Sequence, residues 1–413
     1  MQWQSEEKGD ARRTLLDVYR AALNAVDGRR CVARSLGRAE GLTEDISVIA
    51  IGKAAAAMLL GARDALGARA RRALVVTKHG HALALDETVE IIEAGHPSPD
   101  RSSLYAGTRL LAFLAETPPD HGLLFLISGG TSALVEVLPE GVGLADLTAV
   151  NEWLLGSGLD IATVNRVRKA VSCIKGGRLL PHLGDRPTLN LMISDVPQND
   201  PAVIGSGLLV AEPQPGNLQA ELPSWLEALI GHAPPAPGQA YRARIRHRIV
   251  ADNRRALEAG AAAARARGLS VHLHEGPLTG DAAECGRELA GSLRDGPAGL
   301  HVWGGETTLR LPAEVGRGGR NQHLGLAAAE VLAGTSRIWL LAGATDGSDG
   351  PTQDAGALVD GGTVGRGQTE GLDVGASLRR ADAGRFLEAS GDLLQTGPTG
   401  TNVMDVVLGL KSD

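Results

Sequence analysis

The sequence predicts an α/β protein of two α/β domains, the first a doubly wound, mostly parallel sheet. Three observations predict it. Apolar runs of strand length alternate with helical stretches, the pattern of strands covered by helices on both faces. Glycine reaches 55 residues while aromatics make up 3%, which suits many tight turns around an aliphatic core. At 413 residues the chain is longer than one core usually serves.

The elements follow in order. Residues 13–35 have helical periodicity. SVIAIGK is a buried strand ending at Gly52, with AAAAMLLGARDAL a helix behind it. RALVVTKHG and VEIIEAGHPSPD are the next strands, the second closing in a Pro-rich turn. SLYAGTRLLAFLAE is a helix and LLFLISGG another buried strand. IATVNRVRKAVSCIKGG reads as one amphipathic helix. At about 100° per residue, Ile161, Val164, Val167, Val171 and Ile174 share one side, and Asn165, Arg168 and Ser172 the other. TLNLMISDVPQND is a strand followed by a polar loop. Pro and Gly crowd residues 212–240, which sets the expected division: a Rossmann-like domain over 1–237 and a C-terminal α/β domain over 238–413. In the second block RIVADN, SVHLHE, LHVWGGET and IWLLAGATDG are strands. The final glycine-rich loop and apolar segment, DLLQTGPTGTNVMDVVLGL, is a candidate for returning to the first domain.

Composition narrows the function. A net charge of −7 argues against nucleic-acid binding through a basic surface. The three cysteines form no CxxC pair, so neither a disulfide framework nor a zinc site is expected. The N-terminus lacks an apolar signal core, and no run approaches the roughly 20 apolar residues of a membrane span. A cytoplasmic protein, monomeric or homodimeric, without nucleic-acid or membrane partners, is the expectation. GxxxxGK[ST], GxGxxG after the first strand, HExxH and GxSxG are all absent.

What remains is a set of polar loops after strands, where open α/β sheets bind ligands. LISGGTSAL stops a strand at Ser128 and continues through Gly129, Gly130, Thr131 and Ser132. Its hydroxyls raise the possibility of a nucleophile, but the glycine pair suits an anion cradle of backbone N–H groups better. Lys53 follows the first strand in a chain with only six lysines, placed to offer a point charge to a phosphate. SDVPQNDP sets Asp195 on a loop where a carboxylate can hold Mg²⁺ or simply make a turn. GGET, GRGGRNQ, ATDGSDGP and TGPTGTN contribute Glu306, Arg320, Asp346 and Asn402. The planar fork of Arg320 suits a carboxylate or phosphoryl group.

Taken together, AIGKAAAAM, GHPSPD, LISGGTSAL, VNRVRKAVSCIKGGRL, SDVPQNDPAVIGSG, WGGETT, GRGGRNQ, ATDGSDGPTQDAGA and TGPTGTNVMD resemble the class II glycerate kinases, the glycerate 2-kinase family whose C-terminal part is called MOFRL. The resemblance implies two α/β domains with the site in the interdomain cleft, and transfer of the γ-phosphate of ATP, with Mg²⁺, to the 2-hydroxyl of D-glycerate. It implies catalytic roles for Lys53, Arg320 and Asp195. Ser128, Gly129, Gly130, Thr131, Ser132, Asn165, Glu306 and Asn402 would meet substrate or phosphate, and Asp195 and Asp346 the metal. Thr131, Leu208, Leu209, His323 and Met404 depart from the family pattern. A kinase for another small hydroxy acid and an NAD(P)H-dependent hydroxypyruvate reductase are the alternatives.

Overall fold

The computed structural model describes residues 9–37, 43–83, 85–157, 159, 161–211, 222–235, 237 and 245–412. They divide into two compact units, Gly28–Val250 and a second made of the N-terminal residues to Asp27 with Ala251–Asp413.

The first unit holds a six-stranded sheet. Its strands are β1 (Ile46–Ile51), β2 (Ala70–Lys78), β3 (Val89–Ala94), β4 (Gly122–Ile127), β5 (Thr188–Ile193) and β6 (Ile245–Ala251). Their spatial order is β3-β2-β1-β4-β5-β6, and the pairings from β3 through β5 are parallel. Every residue of β1, β4 and β5 is buried, as strands covered on both faces require. Helices such as Arg101–Glu116 supply the cover, with Leu110 and Phe113 against Ile49, Leu74 and Phe125. That helix starts in a capping box: Asp100 Oδ1 accepts from Ser103 N at 3.0 Å, and Asp100 N donates to Ser103 Oγ at 3.0 Å. The box anchors the end of the GHPSPD turn.

The strand order reverses between β1 and β4. This switch point is where doubly wound sheets open a crevice beyond the strand ends. The register keeps the ends level, with Ile51 opposite both Val76 and Ile127, so the loops after β1 and β4 emerge side by side.

The second unit's sheet contains β7 (Val271–Leu273), β8 (Gly299–Gly305), β9 (Ile338–Ala344), β10 (Gly356–Asp360), β11 (Leu393–Leu394) and β12 (Asp405–Lys411), in the order β11-β10-β9-β12-β8-β7. Only β7–β8 is a parallel pair; β12 runs antiparallel to both β8 and β9. Trp303, Leu326, Leu340, Phe386 and Val407 share its core.

Four expectations are corrected. The C-terminal segment does not return to the first domain: β12 fills the middle of the second sheet, where Val406, Val407 and Leu408 have no exposed surface. The division falls at Val250, not at 237, where residues 236 and 238–244 lie outside the described set. The N-terminal helix Gly9–Ala25 joins the second unit. Buried Arg12 holds it there, pairing with Asp360 at 2.7 Å and Asp392 at 3.0 Å and donating to Leu358 O at 2.7 Å. Finally, the helix from Ile161 ends at Ala170 instead of running to Ile174. Arg178 Nη1 donates to Lys169 O at 2.9 Å, satisfying a terminal carbonyl, and Ser172 turns away to bond Glu136.

On β7 and β8 lies a stack of histidines. His272 and His301 have ring centroids 4.5 Å apart, His274 lies 4.5 Å from Trp303, and His274 Nε2 is 3.0 Å from His301 Nδ1. Burial, then the neighbouring histidines, lowers the pKa of His274; burial, with His272 adding, lowers that of His301. A histidine with a depressed folded pKa adds stability above its unfolded pKa that is lost as pH falls through the folded value. We therefore expect the urea midpoint to drop on acidification through the ordinary histidine range. His301→Gln should flatten that slope, and an equal slope in both proteins would count against the stack.

Candidate active site

Two clusters of polar residues stand beyond strand ends, one in each unit.

In the first unit the loops after β1 and β4 are tied to each other. Lys53 N donates to Gly129 O at 2.9 Å, Ser128 N to Ile51 O at 3.0 Å, and Ala54 N to Ser128 Oγ at 3.1 Å. Thr131 Oγ1 donates to Ile51 O at 3.0 Å and to Ser128 O at 2.7 Å. Gly52 is required by this approach: its φ is +126°, and a Cβ there would lie 2.2 Å from Ser128 Oγ. Gly130 takes a left-handed turn at φ +88°. A Cβ on it would sit 3.1 Å from His96 Cδ2 and 3.3 Å from Lys53 Cγ, so the Lys53 stem and the His96 ring flank the glycine.

The Ser128 and Thr131 hydroxyls are therefore braces. Both residues are fully buried, and neither presents a nucleophile. Ser132, half-buried, pairs with Ser206 Oγ at 2.6 Å and lines a cavity with Gly130. Ser128→Ala should leave the Ala54 N–H unsatisfied, cost about 1–3 kcal/mol of stability, and retain measurable activity. Covalent labelling of Ser128 by an acylating probe would reverse this reading. Asp195 stands just past β5 on the same edge of the sheet. Asn165 lies on the helix Ile161–Ala170, but Arg168, three residues on, lines the cavity in its place.

The second cluster is made by the antiparallel entry of β12. Asp405, its first residue, registers with Gly305 at the end of β8 and Ala344 at the end of β9. Glu306 follows β8, Asp346 follows β9, and Arg320 opens the helix Arg320–Leu332. The Arg320 guanidinium pairs with the Glu306 carboxylate and lies 3.7 Å from Asp405 Oδ2. Asp349 caps the same helix, accepting from Asn321 N at 3.1 Å and Gln322 N at 2.8 Å. Asp346 Oδ1 accepts from Ser348 N at 3.0 Å. The loop carrying Asn402 is pinned on both sides: Val403 N donates to Thr345 Oγ1 at 2.8 Å, and Asn253 Nδ2 donates to Val403 O at 2.7 Å.

The charges in this cluster are strongly coupled. Burial lifts the Asp405 carboxyl to about 7, with Arg320 opposing and Glu306 adding. Burial lifts Asp349 to about 6 against its backbone donors. Burial also works against charge on Arg320, but Asp405 and Glu306 outweigh it and hold the guanidinium above its ordinary pKa. Asp349 was legible as part of ATDGSDG. The partnership of Asp405 with Arg320 was not, because 85 residues separate the two positions (405 minus 320).

Comparison with known proteins decides the family. The MOFRL family model matches residues 299–405, and a model described as a domain of unknown function, DUF4147, matches residues 14–222. D-glycerate 2-kinase of Thermotoga maritima is 32% identical over 96% of this chain and 97% of its own. The chain belongs to the class II glycerate kinases. The crystal structure of a Thermotoga maritima glycerate kinase superposes with a TM-score of 0.84 at 30% identity, covering 97% of this chain and 99% of the other. A protein of Agrobacterium vitis, provisionally named a hydroxypyruvate reductase, is 39% identical over 96% of this chain and 93% of its own. Among the described residues, no helix is long and apolar enough to cross a membrane, and no group of three or more His, Cys, Asp or Glu is arranged to hold a metal.

Proposed function

We propose that this chain transfers the γ-phosphoryl group of ATP to the 2-hydroxyl of D-glycerate, giving 2-phosphoglycerate and ADP. As a glycerate kinase it is a phosphotransferase; the donor, the position phosphorylated, the metal and the residue roles are the proposal. Phosphoryl transfer asks a protein mainly for positioning and for neutralising charge. Lys53 and Arg320 supply the positive charge. Asp195 and Asp346 are the carboxylates for Mg²⁺ or for orienting the hydroxyl. Ser132 and the glycines 129 and 130 of the first unit, and Glu306 and Asn402 of the second, are the groups for substrate or phosphate, with Asn165 on the helix that carries Arg168. A magnesium ion takes one or two carboxylates, keeps waters and draws its other ligands from phosphates, so either aspartate could serve and no cage of three acids is needed.

One observation carries the reading against a reductase. The first sheet has the strand order of dinucleotide-binding folds, yet its first strand-to-helix turn is IGKAAAAM, without their glycine fingerprint. The space that a Cβ at Gly52 would fill is taken by Ser128, so this glycine serves loop packing and not the approach of a pyrophosphate. A coupled assay tests the proposal. ADP should appear on adding D-glycerate with ATP and Mg²⁺, and NAD(P)H should not be consumed with hydroxypyruvate; the opposite pair of results would establish the reductase.

A further inference from the structure

The cavity in the first unit has a volume of about 210 Å³. Sites for drug-sized ligands run to roughly 300–1,000 Å³, so this one suits a molecule of a few heavy atoms and not a nucleotide. Its wall includes His96, Ser132, Glu136, Asn151, Arg168 and Lys175.

The charges around it do not cancel. Lys175 Nζ lies 2.5 Å from Glu136 Oε2, with the two side chains 4% and 0% exposed, and the other Glu136 oxygen accepts from Ser172 Oγ at 2.5 Å. The two charges of that pair balance. Arg168 is different. It is half-buried, and Nε donates to Asn151 Oδ1 at 3.3 Å, while Asn151 Nδ2 is itself held by Leu147 O at 3.0 Å. Among the described residues no carboxylate lies within ion-pairing distance of Arg168, and its two terminal nitrogens make no hydrogen bond. Burial without a compensating anion lowers its pKa. A guanidinium oriented through Nε, with both terminal nitrogens available, matches the two oxygens of a carboxylate.

We propose that this cavity receives the acceptor acid, and that Arg168 binds its carboxylate. The assignment rests on the kinase reading and deepens it. It names the feature that makes the site choose a small hydroxy acid over an uncharged polyol. Gly130 connects the cavity to the chemistry, since it forms part of the wall and stands between His96 and the stem of Lys53. The stem of Lys53 thus passes next to a wall of the cavity in which Arg168 would hold the acid.

Arg168→Gln and Arg168→Lys test this in the full chain, with thermal melts to check folding. The expected result for Arg168→Gln is a KM for D-glycerate raised at least about tenfold, with the KM for ATP within about twofold of wild type. Arg168→Lys keeps the charge but loses the fork, and should fall between the two even if Arg168→Gln folds poorly. Calorimetric titration of D-glycerate without nucleotide should show the same weakening. Glycerol should be a far poorer acceptor than glycerate for wild type, and the gap should narrow in Arg168→Gln. A raised KM for ATP with an unchanged KM for glycerate would make the cavity a phosphate site and overturn the assignment, as would unchanged values for both. Failure of wild type to release ADP with glycerate would instead overturn the kinase reading, and absence of any hydroxy-acid binding to wild type would overturn both.

Discussion

Lys53→Met is expected to lower kcat/KM for glycerate phosphorylation by about 100-fold or more, while the protein keeps its fold. The backbone at this position is fixed independently of the side chain, by Lys53 N on Gly129 O and Ala54 N on Ser128 Oγ. Methionine preserves the stem that passes Gly130 and removes only the ammonium. The position lies at the switch point of the first sheet, where a ligand meets the ends of β1 and β4 together. A charge aimed at a developing phosphoryl anion in a partly enclosed site is worth several kcal/mol, against roughly a few tenths for an exposed surface lysine. Steady-state kinetics alongside a thermal melt would check it. Activity within a few-fold of wild type, with an unchanged melt, would remove Lys53 from the mechanism.

Arg320 should be as sensitive, and to geometry as well as to charge. Its guanidinium is held by Glu306 on one side and Asp405 on the other, a two-sided grip that a point-donor ammonium does not reproduce. Arg320→Lys should therefore fail nearly as badly as Arg320→Ala, each losing roughly 3 kcal/mol or more of transition-state stabilisation, at least about 100-fold in kcat/KM. Near-normal kinetics in Arg320→Lys would refute the fork. The alanine variant has a second expected signature. Asp405 titrates at about 7 when folded against an ordinary value of 3.8, so its contribution to stability is complete at low pH and lost as pH rises toward 7. Arg320 opposes that shift, and without it Asp405 should titrate higher still. In urea melts, Arg320→Ala should lose more stability than wild type between about pH 5 and pH 8. Parallel profiles would mean that Arg320 and Asp405 are not coupled.

The sequence by itself determined the first sheet and the polar loops along one edge of it. The strands SVIAI, LVVTK, VEIIEA, LLFLI and TLNLMI are contiguous apolar runs, each followed within a residue or two by glycine, proline or a polar loop. Parallel strands buried on both faces need such runs, and right-handed crossovers leave little choice in how they assemble. Lys53, the glycine pair and Asp195 were thus legible as residues beyond strand ends. The tertiary structure decided what local pattern cannot encode. Ser128 and Thr131 looked like site hydroxyls, but the nearness of the β1 loop turned them into braces. The helical periodicity through Ile174 is broken at Ala170, where Arg178, nine residues on, takes the Lys169 carbonyl and Glu136, 36 residues back, takes the Ser172 hydroxyl. The entry of β12 between β8 and β9 brings Asp405 to Arg320, and Arg12 ties the N-terminal helix to Asp360 and Asp392. Periodicity states which face of a segment is apolar. Which partner covers that face is settled by the burial and charge pairing of the assembled chain, and in this protein that step formed the second cluster.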